Sequence, residues 1–320
     1  MGFSALHNLR RDAIAAYEAL VLAPWSSRTA LQVPRRFMRK AAGRVQTVEQ
    51  AQAALICADV QTIQAAYQQG LRLVYVPALD LLSMGSADRD ILAGLPGLEV
   101  QVLMPTTAHD TEMPELLELA DQGMPVVADS MSMLVATAAK GAQVECGPRM
   151  GIMNASALAS CKDMGAKRVW LSPELSLAQI KDLAASQTGE PLSLSLTVLG
   201  RQELMVTEHC QFMALGDCGR RCGTCPRRRR GLALQDAKGY VFPLRTDDHG
   251  RGHVYNSVPL DVLPAVQDLI SCGVSRFIVD ASLMTAPEAL GALQRLQQAF
   301  QGQVERMAGS TTGHLFRGVL

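Results

Sequence analysis

From residue 47 onward, short runs of apolar and β-branched residues alternate with longer stretches rich in alanine and leucine. The runs are Ala54–Val60, Leu71–Ala78, Leu98–Met104, Met124–Asp129, Ala142–Gly147, Lys167–Pro173, Leu192–Leu199 and Val274–Ala281. Strands that are apolar on both faces, each followed by a helix, are what a parallel sheet covered on both sides requires. Eight such units predict an α/β fold, a TIM-barrel-like (β/α)8 barrel. A doubly wound open sheet is the rival, because a count of strands does not show closure. The first seven runs begin 17 to 27 residues apart, and a much longer interval precedes the eighth. Inside that interval, Gly239–Leu244 and Gly252–Asn256 predict a β-hairpin, and residues 202–258 read as an insertion before the last strand. Loops that follow barrel strands carry the chemistry of the fold, so the insertion falls on the face where an active site is expected.

Ahead of the barrel, Ala5–Tyr17 carries apolar groups at helical spacing, with Ser4 as the N-cap and Pro24 as the stop. Residues 26–46 are basic, contain Pro34 and read as a linker. The expected organisation is therefore a helix and linker over 1–46 and a barrel over 47–320.

Composition narrows the functional classes. The chain has 320 residues, 48% of them hydrophobic, with 30 basic and 30 acidic side chains. Bulk charge thus directs the chain to neither nucleic acid nor membrane. The N-terminus has no signal-peptide core and no segment approaches the roughly 20 apolar residues of a membrane span, so a cytoplasmic location is expected. Thiols stay reduced there, and a tight group of cysteines points to a metal site rather than to disulfides.

Such a group is present. Cys210, Cys218, Cys222 and Cys225 fall within sixteen residues, while Cys57, Cys146, Cys161 and Cys272 lie singly in apolar segments. Four thiolates suit a [4Fe-4S] cluster or a tetrahedral zinc, and the spacing alone leaves both open beside a metal-free reading. Arg220 and Arg221 lie within the group and Arg227, Arg228, Arg229 and Arg230 follow it. Cations beside an anionic cluster offset its charge, and the run of four is either a solvated turn or a surface for RNA phosphates. His209 adjoins Cys210 and is expected to pack beside the site rather than ligate. His249 and His253 are expected to decorate a polar turn, and Cys57 and Cys146 to pack in the core as small hydrophobes. At the fifth and sixth strand ends, Arg149 and Glu174 form a pair that can bind and polarise a carboxylated substrate, with an ordinary ion pair or helix cap as the plainer reading. No nucleophile elbow, His-Glu-x-x-His, Walker loop or dinucleotide fingerprint occurs.

Several segments together resemble peptidase family U32, the collagenase-like proteins. They include Met150-Gly151-Ile152-Met153-Asn154, Leu171-Ser172-Pro173-Glu174-Leu175, Gly200-Arg201 followed by His209-Cys210, and Leu234-Gln235-Asp236 with Gly239-Tyr240-x-Phe242-Pro243. Val254-Tyr255-Asn256-Ser257 and the tail Thr312-Gly313-His314-Leu315-Phe316-Arg317-Gly318-Val319 continue the series. It runs from about residue 145 to the C-terminus and is similar to the C-terminal portion of a longer member. The resemblance implies an iron–sulfur enzyme that hydroxylates an RNA base or a related aromatic acceptor without oxygen. A [4Fe-4S] cluster would sit on Cys210, Cys218, Cys222 and Cys225, with zinc as the alternative. Arg149, Glu174 and Arg201 would bind an anionic, prephenate-like hydroxyl donor, Arg227 to Arg230 would meet RNA, and a second barrel protein is a possible partner. A metal-dependent peptidase and a non-catalytic, metal-stabilised subunit are the alternatives. Where many members carry Glu-x-Phe-x-His-Gly at the seventh strand, this chain reads Leu194-Ser195-Leu196-Thr197-Val198-Leu199-Gly200-Arg201.

Overall fold

The computed structural model describes residues 2–26, 45, 47–187, 189–216, 218–219, 221–229 and 231–317. The chain divides into two units, Met1–Arg39 and Lys40–Leu320. In the first, helix α1 spans Phe3–Ser26. Ser4 lies inside the helix rather than capping it, and the Gly2 carbonyl accepts the first bonds, from the Ala5 and Leu6 N–H groups. Pro24 does not end α1 either. A proline so near the C-terminus removes one backbone bond, and the Ser26 hydroxyl donates back to the Leu22 carbonyl at 2.8 Å. Most of the expected linker lies outside the described residues.

The second unit begins with β1 (Gln52–Ile56), α2 (Val60–Gln68), β2 (Leu73–Pro77), α3 (Ala78–Leu82), α4 (Ser86–Ala93), β3 (Glu99–Leu103) and α5 (Met113–Asp121). There follow β4 (Val126–Ala128), α6 (Met131–Ala139), β5 (Val144–Cys146), α7 (Ala155–Asp163), β6 (Ala166–Trp170), α8 (Leu177–Ala185) and β7 (Ser193–Gly200). An antiparallel sheet comes next: β8 (Glu203–Thr207), β9 (Leu232–Gln235), β10 (Val241–Thr246) and β11 (Gly252–Tyr255). The chain returns through β12 (Leu260–Asp261) and α9 (Val266–Ser271) to β13 (Val274–Asp280) and α10 (Ala286–Phe300).

Strands β1 to β7 pair in order and in parallel, and β13 pairs with both β7 and β1. The sheet is closed, a (β/α)8 barrel, and the open-sheet alternative is excluded. Every strand expected from the apolar runs is present. The first run ends sooner than its hydrophobicity suggests because the Asp59 carboxylate accepts the Thr62 N–H at 2.8 Å and starts α2 at Val60. Asn154 caps α7 in the same way, at 2.9 Å from the Ala157 N–H. Among the described residues, no helix is long and apolar enough to cross a membrane.

Alternation along the strands builds two cores. Leu55, Val74, Val76, Val169, Phe277 and Val279 face the helices, while Ile56, Leu73, Tyr75, Trp170 and Ile278 face the barrel axis. The axis also holds charge. Glu145 of β5 accepts from Arg276 of β13 at 2.5 Å, and from the Tyr75 hydroxyl and the Trp170 indole N–H at 3.0 Å each. Arg276 donates as well to the Tyr75 hydroxyl and to Gln52. Burial drives the Tyr75 phenol well above its ordinary range, and the Glu145 charge adds to the shift.

The four-stranded sheet has the order β8-β11-β10-β9, and its Leu244↔Val254 register confirms the expected hairpin. Ion pairs fasten it over the C-terminal ends of the barrel strands. Arg245 Nη2 meets both Asp80 oxygens at 2.5 and 2.7 Å, and Arg251 Nη2 meets both Glu112 oxygens at 2.7 Å.

Removing Arg276 would leave the buried Glu145 carboxylate with only the longer cationic contact to Arg168 Nε, at 3.6 Å. Arg276→Met is expected to destabilise the protein by about 3–5 kcal/mol, read from denaturant unfolding. A loss within error would show that Glu145 does not depend on that cation.

Candidate active site at the barrel mouth

A cavity of about 520 Å³ opens between the C-terminal strand ends and the antiparallel sheet. Its floor is apolar, with Ile56, Leu103, Trp170 and Leu196. Its walls carry Asp80, Asp129 and Asp280, and Glu203, Arg245, His253 and Tyr255 from the overlying sheet close it.

Asp129 follows directly on β4 and lies against the end of β5. A Cβ at Gly147 would stand 2.0 Å from its Oδ1, so this approach requires glycine. Asp129 accepts the Arg149 N–H at 3.0 Å. Burial lifts its pKa to about 6, Glu203 adds repulsion, and Arg149 opposes both. Asp280 ends β13 and accepts the Ser282 N–H at 2.9 Å, and burial raises its pKa too. His253 donates or accepts at Nδ1 with Glu203, 2.7 Å away, and at Nε2 faces Asp247 at 3.4 Å. Burial disfavours its charged form, but the Asp247 and Glu203 carboxylates outweigh that and lift its pKa to about 9. His253 is therefore an imidazolium built into the site, not the decoration of a turn. His249 likewise is engaged, with Glu112 at 2.6 Å.

Two of the three expected donor-binding residues reach this cavity. Arg149 lines it, but its Nη2 is held by Glu203 Oε1 at 2.6 Å. Glu174 stands exposed at the rim. Arg201 does not line the cavity. Its Nη1 donates to the Asn256 and Ser257 carbonyls at 2.8 and 2.5 Å, where it secures the return from the sheet to the barrel.

The cysteine group lies behind the cavity wall. Cys210 precedes a 3-10 turn over Gln211–Leu215, and Cys222 opens another over Cys222–Thr224, after which the Cys225 N–H donates to the Cys222 carbonyl at 3.1 Å. All four thiols are free. Burial raises the Cys222 pKa, and the charges of Cys210, Cys218, Cys225 and Asp247 raise it further, so the four sulfurs share one electrostatic neighbourhood. Cys222 Sγ packs against Gly250, where an added Cβ would lie 2.6 Å away. The adjoining Asp247 and Asp248 line the cavity. Among the described residues, no three His, Cys, Asp or Glu side chains already stand at metal-holding geometry. The donor set, four reduced thiols on one short segment, fits a thiolate-bound centre in its chemistry.

His209 is exposed, and its backbone N–H donates to the Thr207 hydroxyl at 3.2 Å. In the arginine run, Arg227 donates to the Gly216 carbonyl and Arg228 pairs with Asp248. Both brace the insertion. Arg220, the Arg229 side chain and Arg230 lie outside the described residues. Cys146 is buried on β5, whereas Cys57 is buried just beyond β1, where burial pushes its thiol up to about 11.

Reading the apolar runs did not single out Asp129 and Asp280, although both stand at strand C-termini, where a barrel places its chemistry. Arg245 and Tyr255 lie on the hairpin, and only the folded sheet directs them to the cavity.

Residues 94–310 match the sequence profile of peptidase family U32. Among solved structures, the chain is similar to a U32 peptidase, Mk0906, at 13% identity, covering 79% of this chain and 98% of that one with a TM-score of 0.42. It is also similar to a native KDPGal structure at 11% identity, covering 81% and 100%, with a TM-score of 0.44. Thiamine phosphate pyrophosphorylase from Pyrococcus furiosus is similar at 8% identity, covering 81% and 98%, with a TM-score of 0.44. No curated protein sequence matches the chain.

The raised His253 pKa fixes a pH dependence. Its ion pairs stabilise the folded protein fully below the ordinary histidine pKa of 6.5, and the contribution is lost as pH rises through about 9. Denaturant unfolding at pH 6 and pH 9.5 is expected to show higher stability at the lower pH, with a smaller difference in His253→Gln. An unchanged difference in the variant would place the titration elsewhere.

Proposed function

We propose that this chain, which belongs to peptidase family U32, is an iron–sulfur enzyme that hydroxylates a small aromatic acceptor without dioxygen in the barrel-mouth cavity. Cys210, Cys218, Cys222 and Cys225 would hold a [4Fe-4S] cluster, which when bound supplies electron transfer beside the cavity. The observation that carries this reading is the contact of Cys222 with Gly250, which sets the thiol group directly behind Asp247 and Asp248 of the cavity wall. The apolar floor binds the ring, and the overlying sheet keeps water out. Asp129, with a pKa of about 6, can take or return a proton near neutral pH.

Two other parts of the initial expectation are adjusted. Arg227 and Arg228 each make a contact inside the insertion, whereas the enclosed cavity suits a single ring, so the acceptor is assigned as a small molecule. Arg149 meets Glu203 and Arg245 meets Asp80 through Nη2 alone, so the other N–H groups of these two lining guanidinium groups would hold the anionic hydroxyl donor that hydroxylation without dioxygen requires.

Anaerobic purification followed by analysis is expected to yield about four iron and four sulfide per chain, the content of one cubane. Stoichiometric zinc in a colourless protein would refute the proposal. Gly250→Ala supplies a finer test, because its Cβ would collide with Cys222 Sγ at a backbone φ of +88°. That variant is expected to lose most of its iron while the barrel's circular dichroism persists, and full iron content would separate Gly250 from the metal site.

A further inference from the structure

The chain leaves the barrel after β7 to build the antiparallel sheet and returns to it at β12. The two crossings lie side by side. The Asn256 N–H donates to the Gln202 carbonyl at 2.8 Å, and Arg201 Nη1 donates to the Asn256 and Ser257 carbonyls. Apolar packing stops at this neck. Among the described residues, neither hydrophobic core of the barrel includes a side chain from 203–255, and the sheet keeps its own, with Phe212, Leu244 and Val254 buried. No bond between backbone groups joins the described residues of 203–255 to the barrel either. Side-chain bridges hold the sheet down: Arg245 with Asp80, Arg251 and His249 with Glu112, Arg149 with Glu203, and His109 with Glu208.

The placement of these bridges follows the order of the ring, which runs β7, β13, β1, β2, β3. Asp80, just past β2, and Glu112, past β3, therefore stand three and four strands from the neck, across the barrel mouth. Two covalent crossings on one side and charge pairs on the other are the mechanics of a hinge and a latch. An interface that buries little apolar surface opens at low cost in free energy. We propose that the β8–β11 sheet is a lid, hinged at the neck and latched across the mouth by Arg245–Asp80 and Arg251–Glu112, which swings as one piece to admit ligands to the cavity. The motion breaks side-chain bridges only, so the strands of the lid stay paired. Trp170 shows what the closed lid does: it lies on the cavity floor, yet is only 1% exposed. The cysteine segment lies between β8 and β9 and travels with the lid. The inference concerns access to the cavity and holds whichever centre the cysteines bind.

Acrylamide quenching of tryptophan fluorescence tests it in the full chain carrying Trp25→Phe, where Trp170 is the sole tryptophan. Asp80→Asn and Glu112→Gln each weaken one latch while keeping the shape of the side chain. Each is expected to raise the quenching constant of Trp170 about threefold, with the far-UV circular dichroism of the barrel unchanged. Asp121→Asn, which breaks the Lys140 pair away from the lid, is expected to leave Trp170 as shielded as before. Glu112 does not line the cavity, so Glu112→Gln keeps the test open should Asp80→Asn not fold. Quenching that neither latch variant raises, that Asp121→Asn raises equally, or that rises only as the circular dichroism is lost would overturn the proposal. Neither the variants nor the readout involve the cysteines, so the outcome is separate from that of the iron analysis.

Discussion

The Arg276–Glu145 pair is the constraint around which the barrel is arranged. A closed parallel barrel must fill its axis, usually with branched apolar side chains in layers. Here one layer instead holds Glu145 with Arg276 at 2.5 Å and Arg168 at 3.6 Å, and a phenol and an indole N–H converge on the same carboxylate, contributed by β13, β5, β2 and β6. Such a pair gains little over an apolar filling in net stability, because desolvation offsets most of the attraction. What it does fix is register. A one-residue slip of any of these strands would turn its partner outward and strand a buried charge. Correct closure of β13 against β1 and β7 is therefore coupled to satisfaction of Glu145.

The same logic repeats one level higher with a different result. The antiparallel sheet is attached over the barrel mouth mainly through guanidinium–carboxylate contacts, Arg245 with Asp80 and Arg251 with Glu112. Arg251 is almost fully buried and Glu112 nearly so, which shields that pair from solvent and salt, whereas Glu208 meets Arg251 from the exposed side. Cations that hold a roof in place keep only their remaining N–H groups for a substrate anion. The architecture of the lid thus shapes the electrostatics of the chamber beneath it, where Asp129 and Asp280 feel Arg149 and Arg245 only at a distance and form no ion pair among the described residues.

The fold was legible in the sequence because both faces of a barrel strand are buried, and eight near-continuous apolar runs are a strong signal. Boundaries were less legible where a polar side chain competes with the strand, as Asp59 does when it caps α2. The site was legible only in part. Cysteine spacing is a local property, so the group at Cys210 to Cys225 could be read directly. Arg149 and Arg201 stood at suitable points in the chain, but sequence position does not reveal a partner 50 residues away, and Glu203, Asn256 and Ser257 had already claimed them. The role of His253 is hidden in the sequence for the same reason: its turn is polar, yet the fold sets the imidazole between Glu203 and Asp247.

Placing the cysteines in the insertion rather than on the barrel strands separates two physical demands. Barrel strands need apolar or exactly matched interior side chains, and four thiolates with their anionic charge would be costly there. A segment of short 3-10 turns makes no such demand and leaves the sulfurs partly exposed, and its closest tie to the cavity wall is through a residue without a side chain. Gly250, at positive φ, lets Cys222 lie against the backbone that leads to Asp247, so the thiol group approaches the chamber without entering it. Charge around that group is then balanced locally, by Arg228 on Asp248 and Arg251 on Glu208, and the barrel axis is left to keep its own pair.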